Sequence, residues 1–349
     1  MINETMLNKY DPSGIHVIYD KWHEIAKNYF DAGHELTDLR SIQQIVFAGM
    51  GSSGTVGDVF EALYSQTELN TTVVKGYVLP KNVNSNTLVV ATSISGNTDE
   101  VLTVINEAKH HGCRIVAFSS GGELESYCRK NDVVFKKISL LHSPRASSIA
   151  FLYYMLKTLL PIVPINKNQI MESIRLLEQL QQRINSTNLN SNNDALNLAS
   201  WISSPPLIFY PHGLKAAAVR FKNSLQENSK MHAAVEDVIE ACHNAIVAWE
   251  NPSHMKPLLL EGDDDHLKTR ERWNILKEYF AQNGIQYKEV VAVNGNILSK
   301  LICLIYLFDY ASVYRAVLSH IDPSPVKSID FIKEKLSSYT VSTESLIRK

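Results

Sequence analysis

The sequence predicts an α/β protein of two domains, each a mainly parallel β-sheet with helices on both faces. Three observations carry this. Strand-like apolar runs alternate with helical patterns from residue 45 to about 160, which implies a parallel sheet covered on both sides. The alternation resumes after residue 205. Between the two stretches lies Asn185-Ser-Thr-Asn-Leu-Asn-Ser-Asn-Asn193, a run too polar to bury area and therefore expected to be a flexible linker. The boundaries that follow are 1–184, a linker at 185–197, 198–336, and a polar, loosely ordered tail at 337–349.

In order, Ile15, Ile18, Trp22, Ile25 and Tyr29 share one face, so a leading helix is expected from Ile15 to Gly33. Ile45–Ala48 reads as a buried strand, and a helical pattern runs from Thr55 to Leu63. Strands are expected at 71–76, 88–93, 114–119 and 133–138, with an amphipathic helix over 99–110 closed by Gly112. The segment 146–159 is apolar on nearly all sides and should be a buried helix; 171–184 is another. In the second half, strands are expected at 207–210, 245–249, 257–261 and 288–293. Helices are expected at 214–225, 267–283 and 298–318.

Composition narrows the function. With 45% hydrophobic and 20% charged residues and a net charge of -2, the chain offers no electrostatic case for nucleic acid or an anionic membrane. Cys113, Cys128, Cys242 and Cys303 show no metal-ligand spacing, and there is no HExxH pattern, so no metal and no cofactor are expected. The N-terminus lacks the basic and apolar regions of a signal peptide, and apolar runs are broken before membrane-spanning length. The expectation is a cytoplasmic protein.

Two loops stand out. Gly49-Met-Gly-Ser-Ser-Gly54 follows an apolar strand and precedes a helix, the place where free N–H groups and the helix dipole favour a phosphate. Gly51, Ser52 and Ser53 are the candidates there; an ordinary tight turn is the alternative. Ser93-Ile-Ser-Gly-Asn-Thr98 repeats the arrangement, with Ser93, Ser95 and Thr98 as hydroxyl donors or, equally, as helix N-caps. Arg145 opens the buried helix, against its dipole, and calls for an anionic partner or a salt bridge. Glu227 and His243 flank a loop further on.

In this order the motifs resemble those of the bifunctional phosphoglucose/phosphomannose isomerases, built from two sugar isomerase (SIS) domains. The resemblance runs from about Ile45 to Leu336 and rests on six segments: Gly49–Gly54, Ser93–Thr98, Ser143-Pro-Arg-Ala146, Gln226-Glu-Asn-Ser-Lys230, His243-Asn244, and Asp322-Pro-Ser-Pro325 with Ile329-Asp-Phe-Ile-Lys333. It implies metal-independent aldose–ketose isomerisation, interconverting glucose 6-phosphate, and possibly mannose 6-phosphate, with fructose 6-phosphate through an enediol(ate). By this resemblance Gly51, Ser52, Ser53, Ser93, Ser95 and Thr98 bind the phosphate. Glu227 is the base, Arg145 stabilises the enediolate, and His243 and Lys333 (or, alternatively, Lys327) assist ring opening. It further implies a homodimer in which His243 crosses the interface. Within this sequence Ser52 replaces the glycine of the family's first loop, which would strain the backbone if a positive φ were needed there. A sugar-phosphate-binding module without catalysis, or another SIS isomerase, are the competing readings.

Overall fold

The structure is a computed structural model and describes residues 2–37, 39 and 41–343, with side chains described to 336. Three helices lead: α1 (Glu4–Tyr10), α2 (Ile15–Tyr19) and α3 (Trp22–Ala32). The first sheet is then assembled by β1 (Gln44–Ala48), α4 (Gly51–Tyr64), β2 (Asn70–Val74), β3 (Thr87–Ser93), α5 (Asp99–His110), β4 (Arg114–Ser119), α6 (Gly122–Asn131) and β5 (Val134–Lys137). Helices α7 (Pro144–Thr158), α8 (Lys167–Ile184) and α9 (Asp194–Trp201) follow. The second sheet comes from β6 (Pro206–Tyr210), α10 (Lys215–Asn228), β7 (Ala234–Asp237), α11 (Val238–Ala241), β8 (Lys256–Glu261), α12 (Leu267–Gln282) and β9 (Lys288–Val291). Helices α13 (Ile297–Leu318) and α14 (Lys327–Thr343) complete the described chain.

Both sheets are parallel throughout, in the orders β2-β1-β3-β4-β5 and β7-β6-β8-β9. Every residue of β1 and β3 is buried, as continuous apolar runs such as Leu88–Ala91 require when both faces of a sheet are covered. One apolar core reaches from Ile45 in β1 to Val317 in α13 and takes in strands of both sheets. Helix α13 is long and apolar enough to span a membrane, but 83% of its apolar window is buried inside the protein; it is a core helix. Its Tyr306, Tyr310 and Tyr314 recur every fourth residue along one face. They donate to the carbonyl oxygens of Tyr19, His16 and Ile184 at 3.0, 3.3 and 2.9 Å, binding α2 and the end of α8 to the core.

Several expected elements take another form. The leading helix is broken at Asp20, whose carboxylate accepts from the Ser186 N–H and hydroxyl (3.0 and 2.6 Å) and from Tyr310. That contact also ties down the start of the Asn-rich run. The run is a hydrogen-bonded loop: buried Asn193 caps α9 through Leu196 N (2.9 Å) and donates to the Ile184 and Asn188 carbonyls. Residues 194–197 of the expected linker are already helical. The expected strand at 245–249 is a 3-10 helix over Ala245–Glu250, started by the Asn244 side chain and directing Trp249 against Phe280 at 5.6 Å. Helices α6 and α9 and strand β7 fall where no element was expected. Helix α14 carries the chain in ordered form to Thr343, through the start of the expected loose tail; residues 344–349 lie outside the described residues.

Candidate active site

The first loop is already helix. α4 begins at Gly51, so Ser52 and Ser53 sit in its first turn, whose leading N–H groups have no acceptor within a helix. Positive φ in this loop is confined to Gly51 (53°), and Ser52 is not among the residues with positive φ, so the serine in place of glycine carries no such strain. Tight packing explains the other glycines: a Cβ on Gly54 would approach the Gly49 carbonyl oxygen to 2.8 Å. The Ser53 hydroxyl accepts from the Ile94 N–H at 3.2 Å, which joins the first loop to the second.

In the second loop, Ser93 Oγ and Thr98 Oγ1 are 2.7 Å apart, and Gly96 N–H donates to Ser93 Oγ at 3.0 Å. Thr98 is the N-cap residue of α5 but its hydroxyl makes no capping bond; it turns to Ser93 instead. Half-buried Ser95 makes no side-chain hydrogen bond among the described residues. Gly96, at φ 81°, lies so near the Gly121 carbonyl that a Cβ would come within 2.0 Å of its oxygen, so only glycine closes this turn.

Arg145 opens α7 and is 4% exposed. Its Nη1 lies 3.4 Å from Glu227 Oε2, and its Nη2 donates to the Pro323 and Ser324 carbonyls at 2.8 and 2.9 Å. Arg145 Nε, Ser143 Oγ and Ser324 Oγ are buried with no hydrogen-bond partner among the described residues. Orphaned polar atoms gathered at one place in a native fold mark a place for ligand or water. The anionic partner that the position of Arg145 demanded is therefore Glu227, on α10.

Glu227, Gly51, Lys230 and Lys327 share the wall of an open cleft of about 840 Å³, along with Asn223, Gln226 and residues 325–329. Lys230, at φ 55°, folds back to donate to the Glu227 carbonyl (2.5 Å), where it closes the end of α10. It also reaches the Pro323 and Pro325 carbonyls at 3.2 and 2.7 Å, so it and Arg145 hold one loop from two sides. Burial lowers the Lys230 pKa and the charge of Arg145 lowers it further, against the pull of Asp322 and Glu227.

Of the remaining expected residues, Lys333 is exposed on α14, six residues beyond Lys327, and does not line this cleft. His243 is exposed after α11; among the described residues no hydrogen bond or ion pair joins it to Arg145, Glu227 or Lys333. Sequence reasoning missed Arg220. Fully buried, it binds Asp309, the Ser52 hydroxyl and the Arg145 carbonyl oxygen. A signal existed: Asp309 is the sole carboxylate in the largely apolar α13, and a buried carboxylate requires a partner.

Comparison with known proteins agrees with this layout. A model of the bacterial phospho-glucose isomerase C-terminal SIS domain matches residues 191–336, and a SIS domain model matches residues 38–161. The chain is 31% identical over 334 residues to the bifunctional phosphoglucose/phosphomannose isomerase of Caldicellulosiruptor bescii, covering 92% of this chain and 98% of that one. It is 29% identical over 324 residues to the protein of the same name from Aquifex aeolicus, covering 91% and 95%. Among solved structures, a hypothetical protein from Thermus thermophilus shares the fold with a TM-score of 0.71 at 14% identity, covering 96% of this chain and 93% of that one. Each of the two parallel sheets with its flanking helices is thus a SIS-like domain.

Proposed function

The chain belongs to the bifunctional phosphoglucose/phosphomannose isomerase family, and from that premise we propose that it interconverts glucose 6-phosphate, and mannose 6-phosphate with it, with fructose 6-phosphate by proton transfer. The observation that carries this reading is the Arg145–Glu227 pair: a buried guanidinium 3.4 Å from a carboxylate on the wall of an open cleft. These are the two groups that moving a proton alpha to a carbonyl requires.

The phosphate is held at the first turn of α4 by N–H groups and by the hydroxyls of Ser53, Ser93, Ser95 and Thr98. Neutral donors leave the positive charge of Arg145 for the reacting carbons. Glu227 takes the C2 proton of the open-chain aldose. The electron pair moves into the C1–C2 bond and onto the C1 oxygen, where Arg145 faces the developing negative charge. Glu227 then returns the proton to C1, and the C2 hydroxyl proton passes to the C1 oxygen, which leaves the ketose with its carbonyl at C2. A positioned base supplies about 10²–10⁴-fold, so the guanidinium must supply a large share of the remainder. Mannose 6-phosphate shares the same enediolate and differs only in the face of C2 that is protonated.

Ring opening needs a further acid–base pair. We assign it to His243 of a neighbouring subunit in a homodimer and to a lysine of α14. Lining of the cleft favours Lys327 over Lys333. Coupled assays on glucose 6-phosphate and mannose 6-phosphate, run in parallel with a chelator, test the reading. Turnover of glucose 6-phosphate that survives the chelator is expected. Binding of hexose phosphate with no turnover would leave a sugar-phosphate-binding module, and activity lost to the chelator would contradict the metal-independent route.

A further inference from the structure

Helix α10 carries more than the carboxylate. Arg220, Ser224, Glu227 and Asn228 are spaced by four, seven and eight residues from the first, so they share one helical face. Arg220 grips Asp309 with two parallel bonds, Nε to Oδ1 at 2.9 Å and Nη2 to Oδ2 at 2.6 Å, and Ser224 adds a third at 2.5 Å. The same guanidinium reaches out of this pair in two directions. Nη1 donates to Ser52 Oγ at 2.9 Å, and Nη2 donates to the Arg145 carbonyl oxygen at 2.9 Å. Arg220 is 2% exposed and Asp309 0%.

A buried ion pair of this kind adds little net stability over an apolar pair of the same shape, because desolvation offsets attraction. Its geometry, by contrast, is informative. One planar fork, anchored on α13, holds the first turn of α4 and the first turn of α7. Those are the two helix starts that carry the phosphate loop and the enediolate-stabilising arginine. The helix that supplies the fork also supplies Glu227.

We propose that Arg220 is a positioning residue that sets the distance between the phosphate anchor and the Arg145 guanidinium, with Ser52 as its contact on the anchor side. The proposal rests on the isomerase reading above. The Ser52 oxygen accepts from Arg220, which leaves its O–H to donate toward the phosphate. A glycine at position 52 would leave one arm of the fork without an acceptor. Misplacing reacting groups by about 1 Å can cost about 10²-fold in rate, so a brace at this point is felt in turnover before it is felt in folding.

The test compares wild type, Arg220→Lys and Ser52→Ala for kcat and KM on fructose 6-phosphate. It also measures affinity for inorganic phosphate, which reports the anchor, and for a five-carbon aldonic acid phosphate, whose carboxylate stands in for the enediolate. Arg220→Lys keeps the charge but loses the fork. Its kcat should fall about 10²-fold, with aldonate phosphate affinity falling about tenfold more than inorganic phosphate affinity. Ser52→Ala should raise KM and weaken inorganic phosphate binding several-fold while kcat changes little. Should Arg220→Lys not fold, the paired variant Arg220→Met with Asp309→Leu removes both charges. The same loss of kcat at an unchanged melting temperature is then expected. Unchanged kinetics, or equal losses for both ligands alongside a lowered melting temperature, would overturn the proposal. If wild type turns over no hexose phosphate, the isomerase reading fails instead, and the ratio of the two affinities still decides whether Arg220 sets the spacing.

Discussion

The two sheets share a design and differ at the ends of their strands. In the first, the helices that follow β1, β3, β4 and β5 all begin without a side-chain cap, at Met50, Thr98, Gly121 and Ser143. In the second, three of the four corresponding starts are capped, by Asp237, His266 and Asn296, and only α10 is open. An uncapped helix start forgoes about 1 kcal/mol and keeps its N–H groups for an anion. The first domain has left those ends open; the second has closed most of its own. What the second contributes comes from the opposite end of a helix, the last turn of α10 with Glu227. On the proposed function, the division is between a domain that holds the phosphate and one that delivers the base.

Breaking the second half of that division should have the largest effect. Glu227→Gln should lower turnover about 10³-fold or more, within reach of what a positioned base supplies, while fructose 6-phosphate still binds by calorimetry. Near-normal turnover would remove Glu227 from the role of base. Arg145→Met should follow, with about 10²–10³-fold loss in kcat, the scale of one electrostatic donor to a developing oxyanion. A loss confined to KM would mean that Arg145 only binds substrate.

The next pair of variants acts on the caps themselves. Thr98→Asp places a carboxylate at the open start of α5, which should stabilise the helix by up to about 1 kcal/mol. It should also raise KM for hexose phosphate at least about tenfold by repelling the phosphate. Asn296→Ala removes a cap from the second sheet and should cost about 1–2 kcal/mol in urea unfolding, with KM unchanged. If both variants moved stability alone, the open ends of the first sheet would not be an anion site.

The smallest effect is on pH. His142 stands just before α7, near Asp11, Asp322 and Arg145, and burial lowers its pKa below the ordinary 6.5, helped by Arg145 and opposed by the two aspartates. A histidine with a lowered pKa binds fewer protons folded than unfolded, so its contribution to stability is present above pH 6.5 and lost as pH falls through that value toward the folded pKa. His142→Gln should therefore flatten the decline of the urea midpoint between neutral and mildly acidic pH. An unaltered slope would assign the decline to other groups.

Much of the first domain was legible because its strands are continuous apolar runs ending in glycine and serine, and because Asp99–His110 is bounded by an acidic start and a glycine stop. The helix over Gly122–Asn131 was hidden because it opens on Gly121-Gly122, and glycine is a poor helix former. Ala245–Trp249 had the apolar look of a strand, a pattern that a short buried helical turn shares. The Asn-rich run was misread because composition counts side-chain polarity but not what the side chains bond. Asn185, Asn188 and Asn193 satisfy nearby N–H and carbonyl groups, and Asn193 is wholly buried. Ser52 marks a deeper limit. As a residue type it suggested a phosphate donor, but nothing in its neighbourhood in the sequence points to the Arg220 guanidinium that its oxygen also meets, 168 positions away and visible only once the two domains are folded together.

At the centre of the proposed chemistry, Glu227 carries a proton between C1 and C2. Incubating glucose 6-phosphate with the protein in heavy water and following the sugar carbons by NMR tests this directly. Deuterium should enter at C2 of the aldose and C1 of the ketose with wild type, and should fail to enter with Glu227→Gln. Undiminished labelling or turnover by the variant would contradict it.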